Sequence, residues 1–252
     1  MTVQPLQLYC LLLRYLIVPA LLLVASVMDL KSREIDVYIF LAGILLSIPV
    51  TISEILAIHK VLLAPIYLFE DLLVLGVLAA FVLLGFKGLA DLLAFIVIAL
   101  AYPIPAGGGP FTPVFATFFY YVSISILIVL GLFVYNLLFN HRDLRRLPFP
   151  YKLIYPLIAV PKPVKKLLEN PGWWYPLNLC NYSLVYDINL DPEDIRREVM
   201  DALEKQCIRP NDRVWCSYGV PAIPLILAAY MLYIAFGGEP VLNLIKILAG
   251  LH

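Results

Sequence analysis

Long apolar runs with almost no charge inside them constrain this chain more than anything else in its sequence. Six of them stand at about residues 8–28, 37–52, 72–86, 91–101, 114–139 and 220–236. Roughly 20 apolar residues in a helix cross the ~30 Å hydrocarbon layer of a bilayer, and several of these runs approach or exceed that length. Inside lipid every backbone N–H and C=O must be satisfied within the segment, so such runs are expected to be helices. The whole chain is 62% hydrophobic and 14% charged, against about 45–50% apolar residues in soluble domains. The expected fold class is an all-α polytopic membrane protein with six transmembrane helices. The N-terminal run lacks a basic flank and a small-residue cleavage site, so it is expected to be a retained helix.

Between the fifth and sixth runs the composition changes. Charges rise, and Pro148, Pro150, Pro156, Pro161, Pro163 and Pro171 punctuate residues 140–217. This stretch is expected to be a small soluble α+β insert before the last helix. Residues 183–189 have strand character. Asp191 suits an N-cap, with Pro192 at the first helical position and Glu193 and Asp194 in the first turn. That helix is expected to run to about Gln206, and Arg213 to Cys216 suit a second short strand. The organisation is thus a membrane domain over 1–139, an insert over 140–217, and a last helix with its tail over 218–252.

Lys and Arg orient the chain. If the turn after Asp29 is cytoplasmic and the spans alternate, that turn, Lys87 and the insert share one side. It then holds 15 of the 18 basic residues, all but Arg14, Lys60 and Lys246. The expected placement is the cell membrane, multi-pass, with the insert in the cytoplasm and both termini outside. Net charge is zero, which gives no case for nucleic acid as a partner.

Against this background two carboxylates stand out. Asp29 closes the first apolar run and Asp91 opens the fourth, both on the side assigned to the cytoplasm. An ionisable group at that depth is costly and marks a functional site by default. Two facing carboxylates share a proton: one is a base toward water and the other donates to a carbonyl. That is aspartic-protease chemistry, with no metal and no cofactor. Gly85, Gly88 and Ala90, with Leu89 between them, lead into Asp91 and are expected to give a small surface for close helix approach. Asp29 ends its helix, where the dipole disfavours negative charge, so it is expected to hold the shared proton. Lys31 and Arg33 follow Asp29 in a charged turn. Glu34 and Asp36, at the same rim, are candidates for binding a basic substrate segment, and Asp36 could equally cap the second helix. Glu70 and Asp71 fall at the opposite face.

Other chemistries lack their signals. Cys10, Cys180, Cys207 and Cys216 include no C-x-x-C pair, so a zinc module is not expected and all four are read as unpaired, reduced thiols. His59, His141 and His252 are isolated, and there is neither an H-E-x-x-H nor a G-x-S-x-G.

The segment 29–35, Asp-Leu-Lys-Ser-Arg-Glu-Ile, together with Gly88-Leu89-Ala90-Asp91, resembles the archaeal preflagellin peptidases and type IV prepilin peptidases. These are Gly-x-Gly-Asp membrane aspartyl proteases. Residues 214–224, Val-Trp-Cys-Ser-Tyr-Gly-Val-Pro-Ala-Ile-Pro, are similar to the approach to that family's last helix. The resemblance implies that Asp29 and Asp91 are the catalytic pair, and that the substrate is the short basic leader of an archaellin or pilin precursor. The chain departs from the class pattern at Ala90, where glycine is expected. It also lacks the four-cysteine module of many bacterial members, so methyl transfer is not expected. Two other functions fit the residues: a general intramembrane aspartyl protease, and an ion- or proton-coupled transporter using the two aspartates.

Overall fold

The computed structural model describes residues 5–32, 34–57, 64–85, 87–105, 109–169, 174–184 and 192–250. Helix α1 covers Pro5–Lys31 and is interrupted by a π-helical turn over Leu13–Ile17. Helix α2 is Val37–Ala57, α3 is Ala64–Leu83, α4 is Leu89–Ala101 and α5 is Pro113–Phe139. After the insert come α10, Ala222–Phe236, and α11, Glu239–Leu248, which turns away from α10 by 98°. Among the described residues four helices are long and apolar enough to cross a membrane, and five if the bent α10–α11 pair is one span. The chain is therefore mostly helical and has the helices of a membrane protein. The expected count of six differs because α4 has 13 residues, about 20 Å of helix, and α10 has 15.

Local chemistry sets these ends. Pro65 falls at the start of α3, in the first turn, where a missing N–H costs nothing. Asp36 caps α2, its Oδ1 accepting the Tyr38 N–H at 2.9 Å. Helix α5 begins on a double cap: the Thr112 hydroxyl accepts from the Phe115 N–H, and Glu70 Oε2 accepts from the Thr112 N–H at 2.8 Å. Glu70 is thus a buried helix cap.

By internal contacts the chain divides into two compact units, Met1–Ile124 with Pro221–His252, and Ser125–Val220. In the first, α4 is the hub. Ala94, Phe95, Val97, Ile98 and Ala101 are all fully buried, leaving it hardly any exposed face. It packs along α2 and also touches α1, α3 and α10, while α10 lies along α1. Among the described glycines, the most tightly surrounded is Gly43 on α2. A Cβ there would come within 2.7 Å of Leu21 Cδ1 and 3.1 Å of Val97.

The second unit holds the C-terminal half of α5, then α6 (His141–Arg145), α7 (Tyr151–Ile158), α8 (Val164–Glu169) and α9 (Pro192–Glu204). A three-stranded antiparallel sheet completes it. The strands are β1 (Ala159–Pro163), β2 (Trp174–Pro176) and β3 (Arg213–Tyr218), in the order β1-β3-β2. Helix α9 falls where the sequence expects one. The Arg213 strand is longer than expected and forms the centre of the sheet. The expected Ser183 strand lies mostly outside the described residues, as do Asp191 and Arg33. Strand β1 carries Pro161 and Pro163, tolerated because it is an edge strand. Asn136 on α5 anchors the insert, its side-chain amide donating to the carbonyls of Pro156 and Ala159.

One expectation is overturned here. Cys180 and Cys207 are not free thiols but form a disulfide, with Cα atoms 5.0 Å apart. Their separation of 27 residues hides the pairing from any spacing rule, because tertiary packing brings the end of α9 back to the loop after β2. A loop of that size gains roughly 3–4 kcal/mol in the chain-entropy account. Cys10 and Cys216 are free. Cys216 is buried in β3, and burial pushes its thiol well above the ordinary range, which makes it inert.

Candidate active site

The site grows from the buried stripe of α1. Over residues 18–31 its buried residues are Val18, Leu22, Ala25, Ser26 and Asp29, at spacings that lie along one helical face. Four are small or apolar, and the last is a carboxylate at 9% exposure. Asp29 meets the start of α10. Pro224 offers no N–H in that first turn, and the Ile223 N–H donates to Asp29 Oδ2 at 3.1 Å. A residue 194 positions away in sequence thus uses Asp29 as its cap.

Asp91 occupies the third position of α4, in its first turn, and is 8% exposed. Gly88 is the N-cap, with extended backbone (φ −77°, ψ 153°). The helices that carry Asp29 and Asp91 touch one another. The two aspartates singled out in the sequence are therefore both buried, on touching helices. Each stands at the N-terminal end of a helix, Asp91 on its own and Asp29 on α10. The expectation that the helix dipole alone makes Asp29 the protonated member is revised. It counted only the C-terminal end of α1, and the N-terminus of α10 opposes that end.

Lys87 and Tyr121 stand beside Asp91, and neither was singled out from sequence. Lys87 Nζ is 3.6 Å from Asp91 Oδ2. It also donates a short hydrogen bond to the Tyr121 hydroxyl and lies 4.9 Å from that ring's centroid. Tyr121 is buried against Phe95 of α4 in an edge-to-face contact. The i,i+4 spacing of Lys87 and Asp91 was the available signal for Lys87. Tyr121, an aromatic within an apolar run, had none.

The remaining candidates are placed differently. Leu89 is exposed, and Ala90 is half-buried against the bundle core. Lys31 and Glu34 are exposed at the rim with Asp36, which is committed to capping α2. The glycines do not provide a close-approach surface: a Cβ at Gly85 or Gly88 would meet nothing within 4 Å. Gly85 is needed for its backbone, with φ of +75°, and Gly88 for its cap. Gly85→Ala is accordingly expected to cost about 1 kcal/mol, and Gly88→Ser to be neutral or stabilising. Unfolding midpoints in detergent check both. Equal losses at the two positions would contradict the assignment.

Among the described residues no group of three or more His, Cys, Asp or Glu side chains could hold a metal ion. Comparison of the chain with protein-family models and with curated proteins finds no match.

Proposed function

We propose that this chain is a membrane aspartyl endopeptidase that removes the short basic leader from archaellin or type IV pilin-like precursors. What supports this reading is that Asp29 and Asp91, 62 positions apart, are both buried near helix N-termini, on two helices that touch one another. The ionised carboxylate takes a proton from a water, which adds to the scissile carbonyl. The protonated carboxyl donates to the carbonyl oxygen, giving a gem-diol. Collapse of the gem-diol breaks the C–N bond, with a proton passing to the leaving nitrogen, and one shared proton remains on the pair. No covalent intermediate or cofactor is needed.

The same reading has six spans, with α4 and α10 crossing as short helices sheltered by their neighbours. It places the dyad, the rim at Lys31–Glu34 and the insert on the cytoplasmic side. The disulfide between Cys180 and Cys207 pulls the other way, since the cytosol keeps most thiols reduced. The distribution of 15 basic residues outweighs one bridge. In intact cells, thiol labelling of reduced Cys180 or Cys207 only after permeabilisation supports this orientation. Labelling from outside reverses it.

Co-expression with an epitope-tagged precursor tests the activity. The expected product is shortened by the leader and begins at the hydrophobic stretch. An unprocessed precursor, with the protein present in the membrane, would exclude this function.

A further inference from the structure

We propose that the Cys180–Cys207 bridge is a reversible thiol–disulfide exchange site, opened by dithiols, that tethers two walls of a cavity in the second unit. The cavity, about 490 Å³, has the turn 178–182 on one wall and residues 207–208 and 211–213 on another, with Val214 and Trp215 of β3 also lining it. The bridge joins these two walls. Both of its cysteines are exposed, so a thiolate in solution can reach either sulfur.

Local structure lets the bridge open without unfolding the sheet. The turn is held at its base: Asn178 Oδ1 accepts the Trp215 N–H at 2.7 Å, the Leu177 N–H donates to the Trp215 carbonyl, and the Ser183 N–H donates to the Leu177 carbonyl. Asn178 also pairs with Tyr182. Cys180 stands at the tip of this turn, so the disulfide tethers the tip. Across the cavity, Cys207 follows the end of α9. Its N–H donates to the Ala202 carbonyl at 2.9 Å and the Gln206 N–H to the Leu203 carbonyl at 3.0 Å, the paired bonds of a Schellman cap. The left-handed position of that cap is Gln206, with φ of +58°, where glycine would carry no penalty. Opening the bridge therefore frees the turn tip and lets a strained cap fray, while Val199 and Ala202 keep the body of α9 in its apolar cluster.

In the exchange, one thiolate of the dithiol attacks a bridge sulfur. The S–S bond breaks, giving a mixed disulfide and one cysteine thiolate. The second thiolate of the dithiol then attacks its own half of the mixed disulfide and releases the other cysteine. The bridge gains two electrons and two protons, and the dithiol closes into its own disulfide. Such dithiols belong to the cytosol, so an openable bridge agrees with the proposed placement of the insert, which a permanent one opposes. The exchange itself is independent of any peptidase activity.

Cys216 supplies an internal control, because it is fully buried in β3 and reacts only if the sheet opens. The full-length protein in detergent is treated with dithiothreitol and then with excess iodoacetamide, without denaturant, and labelling is read by peptide mass spectrometry. Cys180 and Cys207 are expected to label together while Cys216 stays unlabelled. Replacing the dithiol by its oxidised form before alkylation restores the bridge. Hydrogen exchange after reduction is expected to rise about ten-fold or more at residues 179–182 and 205–208, and to stay unchanged at 214–217. The Cys180→Ser, Cys207→Ser double variant shows the same pattern without reductant. A bridge that resists the dithiol until Cys216 also labels, or that does not re-form, overturns the proposal. So does faster exchange that spreads through β3, or a double variant that fails to fold, since either makes the bridge a permanent staple.

Discussion

Asp29→Asn and Asp91→Asn each reduce precursor cleavage by roughly 10³-fold or more, while the protein still inserts and folds. The expectation of retained folding is specific. An amide at 29 keeps an oxygen that can accept the Ile223 N–H, so α10 keeps its cap. At 91 the ion pair with Lys87 is lost, but Lys87 retains Tyr121. What disappears in both cases is the ability to share one proton between two carboxylates. The two losses are also expected not to multiply. Because the pair acts as a unit, the double variant should be no slower than the worse single one. Asp36→Asn is the matched control, since asparagine caps a helix about as well as aspartate. Initial cleavage rates on a common precursor decide the matter. A single variant that keeps more than a tenth of wild-type activity removes that aspartate from the chemistry.

The largest effect on stability is expected at the other end of α4. Arg14, in the π-helical turn of α1, pairs with Glu54 of α2 and donates from Nε to the Ala101 carbonyl at 3.1 Å. It also stacks on the Tyr102 ring at 4.0 Å. One guanidinium thus ties α1, α2 and the C-terminus of α4 together, where a cation also complements the helix dipole. Tyr230 of α10 adds a fourth element by donating to the Arg14 carbonyl. Arg14→Met leaves Glu54, whose side chain is 21% exposed, as a partly buried, unpaired charge, a loss of about 3 kcal/mol, the low end for breaking a buried pair. Arg14→Met with Glu54→Gln is expected to recover most of it, because the cost lies in the orphaned charge more than in the lost pair. Unfolding in detergent micelles measures both. A single variant within about 1 kcal/mol of wild type, or a double variant worse than either single, would contradict this.

Much of the membrane unit was legible in the sequence because its determinants are local. Apolar runs announce the helices, Asp36 sits where a cap belongs, and isolated carboxylates at the ends of runs announce Asp29 and Asp91. What stayed hidden depends on contacts between distant residues. Nothing local tells that Asp29 caps a helix 194 positions on, or that Cys180 meets Cys207. The glycines misled for a related reason. Gly85 and Gly88 looked like packing surface, yet their work is conformational, and the glycine that is tightly packed is Gly43, inside an unremarkable run. Pro161 and Pro163 read as loop punctuation, yet they form an edge strand, because an edge leaves some N–H groups unused.

The most direct measurement uses purified protein in liposomes or detergent with a purified precursor, and reads product masses over time. The account predicts two products, the leader and a mature chain starting at the hydrophobic stretch. They form at undiminished rate in chelator and are absent with the Asp29→Asn, Asp91→Asn double variant. An intact precursor under conditions where the protein is folded, or the same two products from the double variant, would contradict it.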